Sequence, residues 1–455
     1  MSFHHWPWHH WAELRGRDDA LILEGQTLDW TTLCQRVNAL AGGFHQQGVK
    51  AGDGVALRGK NSAQILLAWM ALLQCGARVL PLNPQFPDAF LEDLLPGLTL
   101  SWGISLPGEK TVSDLPVLQW LTADPWQASW QPDRLASMTL TSGSSGIPKA
   151  AVHTCAAHLA SAAGVLSRLS YGAKDSWLLS LPLFHVSGQG IFWRWLQAGG
   201  SLAVKPDQAL VDALQGCTHA SLVPTQLWRL LEQQQEFTLR EVLLGGATIP
   251  VALTQQATAA GLACWCGYGL TELASTVCTK PADGLSDVGT ILPGHQLKIM
   301  NGEIWLRSAT LASGYWRDGE LVSLCNAEGW FPTRDLGVLN GNRLQIIGRA
   351  DNLFFSGGEG IQPEIVEQII SRHPSIEQVF IVPVTDVEFG QRPVAIVAAR
   401  GEIDFQEINL WLKDKLPRFQ IPVHWYSLPE PFRQEGIKVS RQKLISWVAH
   451  RHLLP

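Results

Sequence analysis

Apolar and polar positions along this chain follow two rhythms. From Leu33 to Gln47 the apolar residues Leu33, Val37, Leu40, Ala41 and Phe44 recur every three or four positions, which predicts a helix. The run from Ile65 to Cys75 predicts a second helix. Arg78-Val79-Leu80-Pro81-Leu82 predicts a short buried strand. Trp177 to Leu181, Ala220 to Val223 and Glu241 to Leu244 read as further apolar strands. Each runs into turn chemistry: Pro182-Leu183-Phe184-His185, Pro224, and Gly245-Gly246. Alternating strands and amphipathic helices predict α/β layers, whose ligands sit beyond the carboxyl ends of the strands.

Past about residue 280 the strands shorten and turns crowd in: Gln296 to Ile299, Glu303 to Leu306, Leu344 to Ile347. This predicts a small β-rich subdomain. The polar turn Gly348-Arg349-Ala350-Asp351-Asn352 follows. Beyond it Pro363 to Ser371 predicts a helix, with Pro and acidic residues in its first turn. Strands at Val379 to Val382 and Val394 to Val397 and a helix from Phe405 to Leu416 complete a small α+β domain. The expected division is 1–349 and 350–455, hinged near Asp351.

A chain of 455 residues exceeds what one core supports. Its 46% hydrophobic and 16% charged content describe globular domains with a large interior. The net charge of −6, without a basic run, argues against a nucleic-acid partner. The start, Met1-Ser2-Phe3-His4-His5-Trp6-Pro7-Trp8, has neither a positive n-region nor an apolar h-region, so no signal peptide is expected. No apolar run is long enough to span a bilayer. Eight scattered cysteines, Cys264 and Cys266 among them, read as buried thiols of a cytoplasmic protein. His4, His5, His9 and His10 read as terminal surface histidines. Homo-oligomerisation stays open.

The candidate chemistry centres on Thr141-Ser142-Gly143-Ser144-Ser145-Gly146-Ile147-Pro148-Lys149. Its glycines permit close backbone approach, and successive N–H groups, hydroxyls and the lysine form an anion-binding concavity. That suits polyphosphate. It is not a Walker loop, in which Gly-Lys-Ser/Thr opens a helix; here Pro148 precedes Lys149 and Ala150 follows. Further polar constellations follow in order: Gly267-Tyr268-Gly269-Leu270-Thr271-Glu272, Trp330-Phe331-Pro332-Thr333-Arg334-Asp335, Gly348-Arg349, Ser356-Gly357-Gly358-Glu359 and Gly436-Ile437-Lys438-Val439-Ser440-Arg441.

In this order and spacing the motifs resemble the adenylate-forming superfamily of acyl-CoA synthetases, carrier-loading adenylation domains and luciferases, over nearly the whole chain. The resemblance implies ATP, Mg²⁺ and CoA as substrates or essential ion. It implies that the Thr141–Lys149 loop (Thr141, Ser142, Gly143, Ser144, Ser145, Gly146, Lys149) holds the β- and γ-phosphates. Glu272 would bind Mg²⁺ and Thr271 the α-phosphate. Gly245, Gly246, Ala247, Tyr268 and Gly269 would line the adenine, and Asp335 and Arg349 the ribose. Lys438 would reach the carboxylate and α-phosphate oxygens. The small domain is expected to swing about Asp351 between half-reactions, exchanging Lys438 for Ser356, Gly357 and Gly358, which would meet the pantetheine arm. Two departures stand out. Arg334 occupies a position where glycine is common, and Ile437 separates Gly436 from Lys438.

Within the superfamily, Ser180 to Gly190 with Trp193-Arg194-Trp195, and Phe354 to Pro363, are most similar to the branch that activates o-succinylbenzoate for menaquinone biosynthesis. That acid has two carboxylates. The succinyl one is activated, and the aromatic one needs a counter-charge, for which Arg194 among aromatics is the candidate. Against this stands an arginine merely stacked on tryptophan. His185 is the candidate for closing the pocket, with Ser187 and Ser221 lining it. Another aryl- or acyl-CoA ligase, a carrier-loading enzyme, a kinase or ATPase, and a silent binding protein remain open on sequence alone.

Overall fold

The computed structural model describes residues 2–112, 114–141, 148–233, 238–399, 401, 403–430, 432 and 439–452. Ser142 to Gly146 and Lys438 lie outside the described residues. Compactness divides the chain into two units: Met1–Leu297 with Leu306–Phe331, and Lys298–Trp305 with Pro332–Pro455. Among the described residues no helix is long and apolar enough to cross a membrane.

The first unit is built on two mixed sheets. The larger has nine strands. At its centre Ser201–Val204, Ser176–Leu178, His219–Leu222, Glu241–Leu244 and Ala263–Leu270 run parallel, in that spatial order. The first four are buried at nearly every position, as strands of a helix-covered parallel sheet are, whereas Ala263–Leu270 is half-buried along much of its length. Leu227, Leu230, Leu253 and Ala257 of the Pro224–Glu232 and Val251–Ala259 helices pack against Leu178, Ala220, Leu222, Val242 and Leu244. The parallel strands deliver their carboxyl ends to one edge, where Ser180–His185, Val223, Gly245–Ala247 and Thr271–Glu272 follow, with Tyr268 and Gly269 near the end of the longest of the five.

The second sheet has seven strands in the order Glu320–Val322, Gly314–Arg317, Lys149–Thr154, Leu135–Thr141, Arg78–Leu82, Gly54–Arg58 and Trp102–Ser105. Leu135–Thr141 and Lys149–Thr154 form an antiparallel pair that sets Thr141 opposite Lys149. The anion-loop sequence is therefore the connection of this hairpin.

The predicted helices form as Trp30–Gln46 and Ala63–Gln74. Asp29 and Ser62 cap them, accepting from the Thr32 and Ile65 amides. The strand expected to continue to Leu181 stops at Leu178. Asn61 turns the chain there: its amide donates to the Leu179 and Leu181 carbonyls, and its Oδ1 accepts from Leu183 N–H. Of the amino-terminal histidines, His4 is exposed as expected, whereas His5, His9 and His10 are half-buried. Pro7–Arg15 is a helix that buries Trp8 and Trp11, and His9 within it bonds Asn38 at 2.9 Å and Gln74 at 3.2 Å. Cys264 and Cys266 are buried, and burial pushes their thiols up to about 12 and about 11.

In the second unit Phe354–Ser356 and Glu359–Ile361 form a hairpin beside the long antiparallel pair Ile376–Asp386 and Gly390–Ala399. The Pro363–Ile370 and Phe405–Leu412 helices pack on this sheet through Val366, Ile370, Ile408 and Leu412. The carboxyl-terminal helix Arg441–His452 seats Leu444 and Val448 against Val382, Val394 and Ile396.

Candidate active site

The Val186–Ala198 helix begins where the Pro182–His185 turn ends, and its glycines have spatial causes. A Cβ on Gly188 would lie 2.1 Å from the Pro182 carbonyl oxygen, so only glycine permits this approach. A Cβ on Gly190 would meet an Arg194 Nη1 at 3.1 Å and Ser275 Oγ at 3.0 Å. Gly190 and Arg194 are one turn apart on the same face. The glycine thus leaves the room that the guanidinium uses.

Arg194 is only 2% exposed. One Nη donates to Ser221 Oγ at 3.2 Å, and the guanidinium lies over the Trp177 ring at 4.8 Å. Its Nε has no partner, and among the described residues it forms no ion pair. Burial pushes its pKa down to about 9. Trp193 and Trp195, its sequence neighbours, do not supply the cation's aromatic face. Trp193 stacks on His158 at 5.1 Å and Trp195 on Trp30 at 5.1 Å. They fix the helix, while Trp177 meets the charge. Ser221 is 3% exposed, Ser187 is half-buried, and His185 is exposed at the amino-terminal cap, edge-on to Phe184 at 4.8 Å.

Glu241–Leu244 ends with Leu244 opposite Cys266, so Gly245–Ala247 leave that strand where Gly267–Gly269 continue the longer Ala263–Leu270 strand. A Cβ on Gly245 would come 3.7 Å from the Gly267 carbonyl oxygen, so this is a shallow slot of backbone. A Cβ on Gly269 would fall 1.9 Å from the Ser275 carbonyl oxygen. Thr271–Leu273 forms one 3₁₀ turn, and Ala274 and Ser275 then take φ of 52° and 115° to reverse the chain. This strained reversal projects Thr271 and Glu272 from the edge of the sheet.

Glu272 is met from the second sheet. The Tyr315 hydroxyl donates to Glu272 Oε1 at 2.7 Å, and the Ala312 amide donates to the Glu272 carbonyl at 2.8 Å. Lys149 Nζ lies 5.0 Å from the centre of the Tyr315 ring. The structure therefore brings together Glu272 and Lys149 at the end of the anion loop, with Tyr315, which sequence reasoning missed, between them. Among the described residues no group of three or more His, Cys, Asp or Glu could hold a metal ion. Magnesium commonly takes one or two carboxylates plus phosphate oxygens and water. A half-buried Glu272 with one oxygen engaged fits that use.

In the second unit Asp335 is 7% exposed and pairs across the strands with Arg349, whose Nη1 lies 3.1 Å from Asp335 Oδ1. Thr333 ties this turn down, donating to the Ile304 carbonyl at 2.8 Å and accepting from Asp335 N–H at 3.0 Å. Between them Arg334 takes φ of 64°, the left-handed conformation that glycine adopts without cost. Its guanidinium bonds Asp351 Oδ1 at 2.7 Å. Partial burial works against ionisation of Asp351, yet Arg334 and then Arg349 hold its carboxyl below the usual range. An exposed pair of this kind contributes little, whereas a Cβ at positive φ costs roughly 1 kcal/mol or more. Urea unfolding should therefore find Arg334→Gly more stable than Arg334→Ala by about 1 kcal/mol. Equal stabilities would show that the left-handed backbone carries no strain.

Gly357 and Gly358 form the two-residue turn of their hairpin with φ of 59° and 86°, a primed turn that requires φ > 0 at both positions. Ser356 beside them is 2% exposed, and its Oγ has no partner. Arg441, three residues after Lys438, is pinned by Glu367 through contacts of 2.6 and 3.0 Å, which anchors the chain just past the lysine.

The chain as a whole is similar to known proteins. The family model described as AMP-binding enzyme matches residues 8–316, and the AMP-binding enzyme C-terminal domain model matches residues 365–431. A 2-succinylbenzoate–CoA ligase of Salmonella typhimurium is 58% identical, over 98% of this chain and 99% of its own length. A solved arginine-to-lysine variant of E. coli MenE with bound OSB-AMS is 58% identical, covers 99% of this chain and 100% of its own, and superposes with a TM-score of 0.95. The Bacillus subtilis o-succinylbenzoate coenzyme A synthetase, solved with ATP and magnesium, is 26% identical over 93% of this chain and 95% of its own, with a TM-score of 0.84. With the AMP-binding enzyme model matching residues 8–316 and a relative 58% identical over 98% of the chain, the chain belongs to the AMP-binding enzyme family.

Proposed function

We propose that this chain joins o-succinylbenzoate to CoA through an acyl-adenylate, with ATP and Mg²⁺. Arg194 carries the substrate assignment. A buried guanidinium with an orphaned Nε and no ion pair among the described residues is costly unless a ligand supplies the counter-charge. Its partners Ser221 and Trp177 belong to two adjacent parallel strands, and ligands of open α/β folds bind toward the carboxyl ends of such strands. The aromatic carboxylate of o-succinylbenzoate supplies that charge, and its succinyl carboxylate is left to react.

A carboxylate is a poor electrophile. Its oxygen attacks the α-phosphorus of ATP, and the bond to pyrophosphate breaks. The CoA thiolate then adds to the acyl carbon, and AMP leaves with the former carboxylate oxygen. The first step brings anions together, so positioning and charge neutralisation matter more than proton transfer. Lys149 and the hydroxyls of the anion loop hold the terminal phosphates, and Thr271 holds the α-phosphate. Glu272 would hold Mg²⁺, which neutralises phosphate charge when bound. Gly245–Ala247 and Tyr268–Gly269 receive the adenine, and Asp335 with Arg349 the ribose. Lys438 neutralises charge at the α-phosphate, Asp351 is the pivot between half-reactions, and Ser356–Gly358 meets the pantetheine arm. His185, exposed at the helix cap, closes the acyl pocket lined by Ser187 and Ser221. Eight unpaired cysteines, seven of them buried, suit a reducing cytoplasm.

The test is AMP release with ATP, Mg²⁺ and CoA, comparing o-succinylbenzoate with benzoate, 4-hydroxybenzoate and octanoate. AMP and a thioester with o-succinylbenzoate alone are expected. AMP with a monocarboxylate instead would make this another acyl-CoA ligase and remove the role of Arg194.

A further inference from the structure

We propose that Tyr315 is a positioning residue for the nucleotide half of the reaction, its hydroxyl orienting Glu272 and its ring face seating Lys149. This rests on the reading that Glu272 serves Mg²⁺ and that Lys149 serves the phosphates.

Tyr315 lies on the Gly314–Arg317 strand, antiparallel to Lys149–Thr154 and directly opposite Ala151. Lys149 is two residues before Ala151 and shares its face, so Tyr315 is its diagonal cross-strand neighbour, within reach of an aromatic ring. The strand is fixed on its opposite face. The Trp316 indole donates to Thr99 Oγ1 at 2.8 Å, and the Arg78 guanidinium stacks on the Trp316 ring at 3.6 Å. Gly314 adds a close approach: a Cβ there would lie 2.8 Å from the Val322 carbonyl oxygen. With Trp316 anchored, alternation presents Tyr315 to the other side.

The segment then grips Glu272 twice. Ala312 N–H holds the main chain and Tyr315 O–H holds Oε1. Among the described residues Glu272 forms no ion pair, so none of their cations competes for the carboxylate. A carboxylate fixed through one oxygen keeps the lone pairs of the other for a hard cation. The same ring offers its negative face to the Lys149 ammonium, so one side chain sets the spacing between an anion and a cation that must both face a polyphosphate.

The experiment uses the full-length Tyr315→Phe protein, with Glu272→Gln and the double variant in parallel. Mn²⁺ binding in the presence of ATP is read by electron paramagnetic resonance, and KM for MgATP and for o-succinylbenzoate by ATP–pyrophosphate exchange. Tyr315→Phe keeps the ring and should weaken Mn²⁺ binding about tenfold, the loss expected for one hydrogen bond to a charged group. KM for MgATP should rise with KM for the acid unchanged, and the double variant should be no worse than Glu272→Gln alone. Tyr315→Leu removes the ring as well and should further weaken ATP binding measured without metal. Wild-type Mn²⁺ affinity in Tyr315→Phe, with affinity lost in Glu272→Gln, would make Tyr315 a strut and overturn the proposal while the Glu272 reading stands. Unchanged affinity in Glu272→Gln would overturn both.

Discussion

Arg194→Met is expected to lower kcat/KM for o-succinylbenzoate by about 10²- to 10³-fold, equivalent to roughly 3–4 kcal/mol of lost pairing with a desolvated charge. The same change should leave the melting temperature equal or higher. Arg194 is buried, its Nε is orphaned and among the described residues it forms no ion pair. Replacing an uncompensated buried charge by an unbranched apolar chain of similar length removes a penalty in the free protein. Opposite signs in activity and stability separate a charge kept for a ligand from one kept for the fold. The pH dependence follows from the same group. Its folded pKa, pushed down to about 9 by burial, lies below that of the unfolded chain. Between those values the unfolded state binds more protons, so stability contributed by this group rises with pH above about 9. Substrate pairing needs the charged form and moves the other way. The kcat/KM for o-succinylbenzoate should therefore fall as pH climbs through about 9, and Arg194→Met should lack that limb. An unchanged limb in the variant would assign it to another group.

Lys438→Ala should lower ATP–pyrophosphate exchange by about 10²- to 10³-fold, the usual loss for a single donor aimed at developing charge. The five-coordinate α-phosphorus gathers negative charge while a carboxylate approaches, and a positioned ammonium counters both. Thioester formation from supplied acyl-adenylate should stay near wild type, because displacement of AMP by the thiolate does not use that cation in the same way. The anchoring of Arg441 by Glu367 fixes where the chain resumes just after Lys438. Equal slowing of both half-reactions would make Lys438 a structural residue. The same loss in Lys443→Ala instead would move the role to that exposed lysine.

What was legible in the sequence was whatever depends on local period or local turn chemistry. Ala220 to Val223 and Glu241 to Leu244 announced themselves as short apolar runs ending in proline or glycine, which placed Gly245–Ala247 at a strand end. The Ala263–Leu270 strand that carries Tyr268 and Gly269 is broken by two glycines and gives no such run. Arg194 was visible as a cation in an aromatic run, but its aromatic partner was not. Trp177 comes from a neighbouring strand, while Trp193 and Trp195 face other helices. Asn61 and Tyr315 lay hidden for the same reason: each acts across more than forty positions of sequence, through hydrogen bonds that no periodicity encodes. The Gly357-Gly358 pair read as a candidate for CoA has an independent structural cause in its primed turn, so the residue type alone was never evidence of binding. Arg334 is the converse. The departure from glycine was plain in the sequence, and the positive φ explains why glycine suits the position.

The most direct test of the acyl-adenylate route is the fate of oxygen. o-Succinylbenzoate labelled with ¹⁸O in its succinyl carboxylate is turned over with ATP, Mg²⁺ and CoA, and the nucleotide and phosphate products are analysed by mass spectrometry. One ¹⁸O in AMP, with none in pyrophosphate, is the predicted result. Label in inorganic phosphate with ADP as the nucleotide product, or AMP without label, would contradict it.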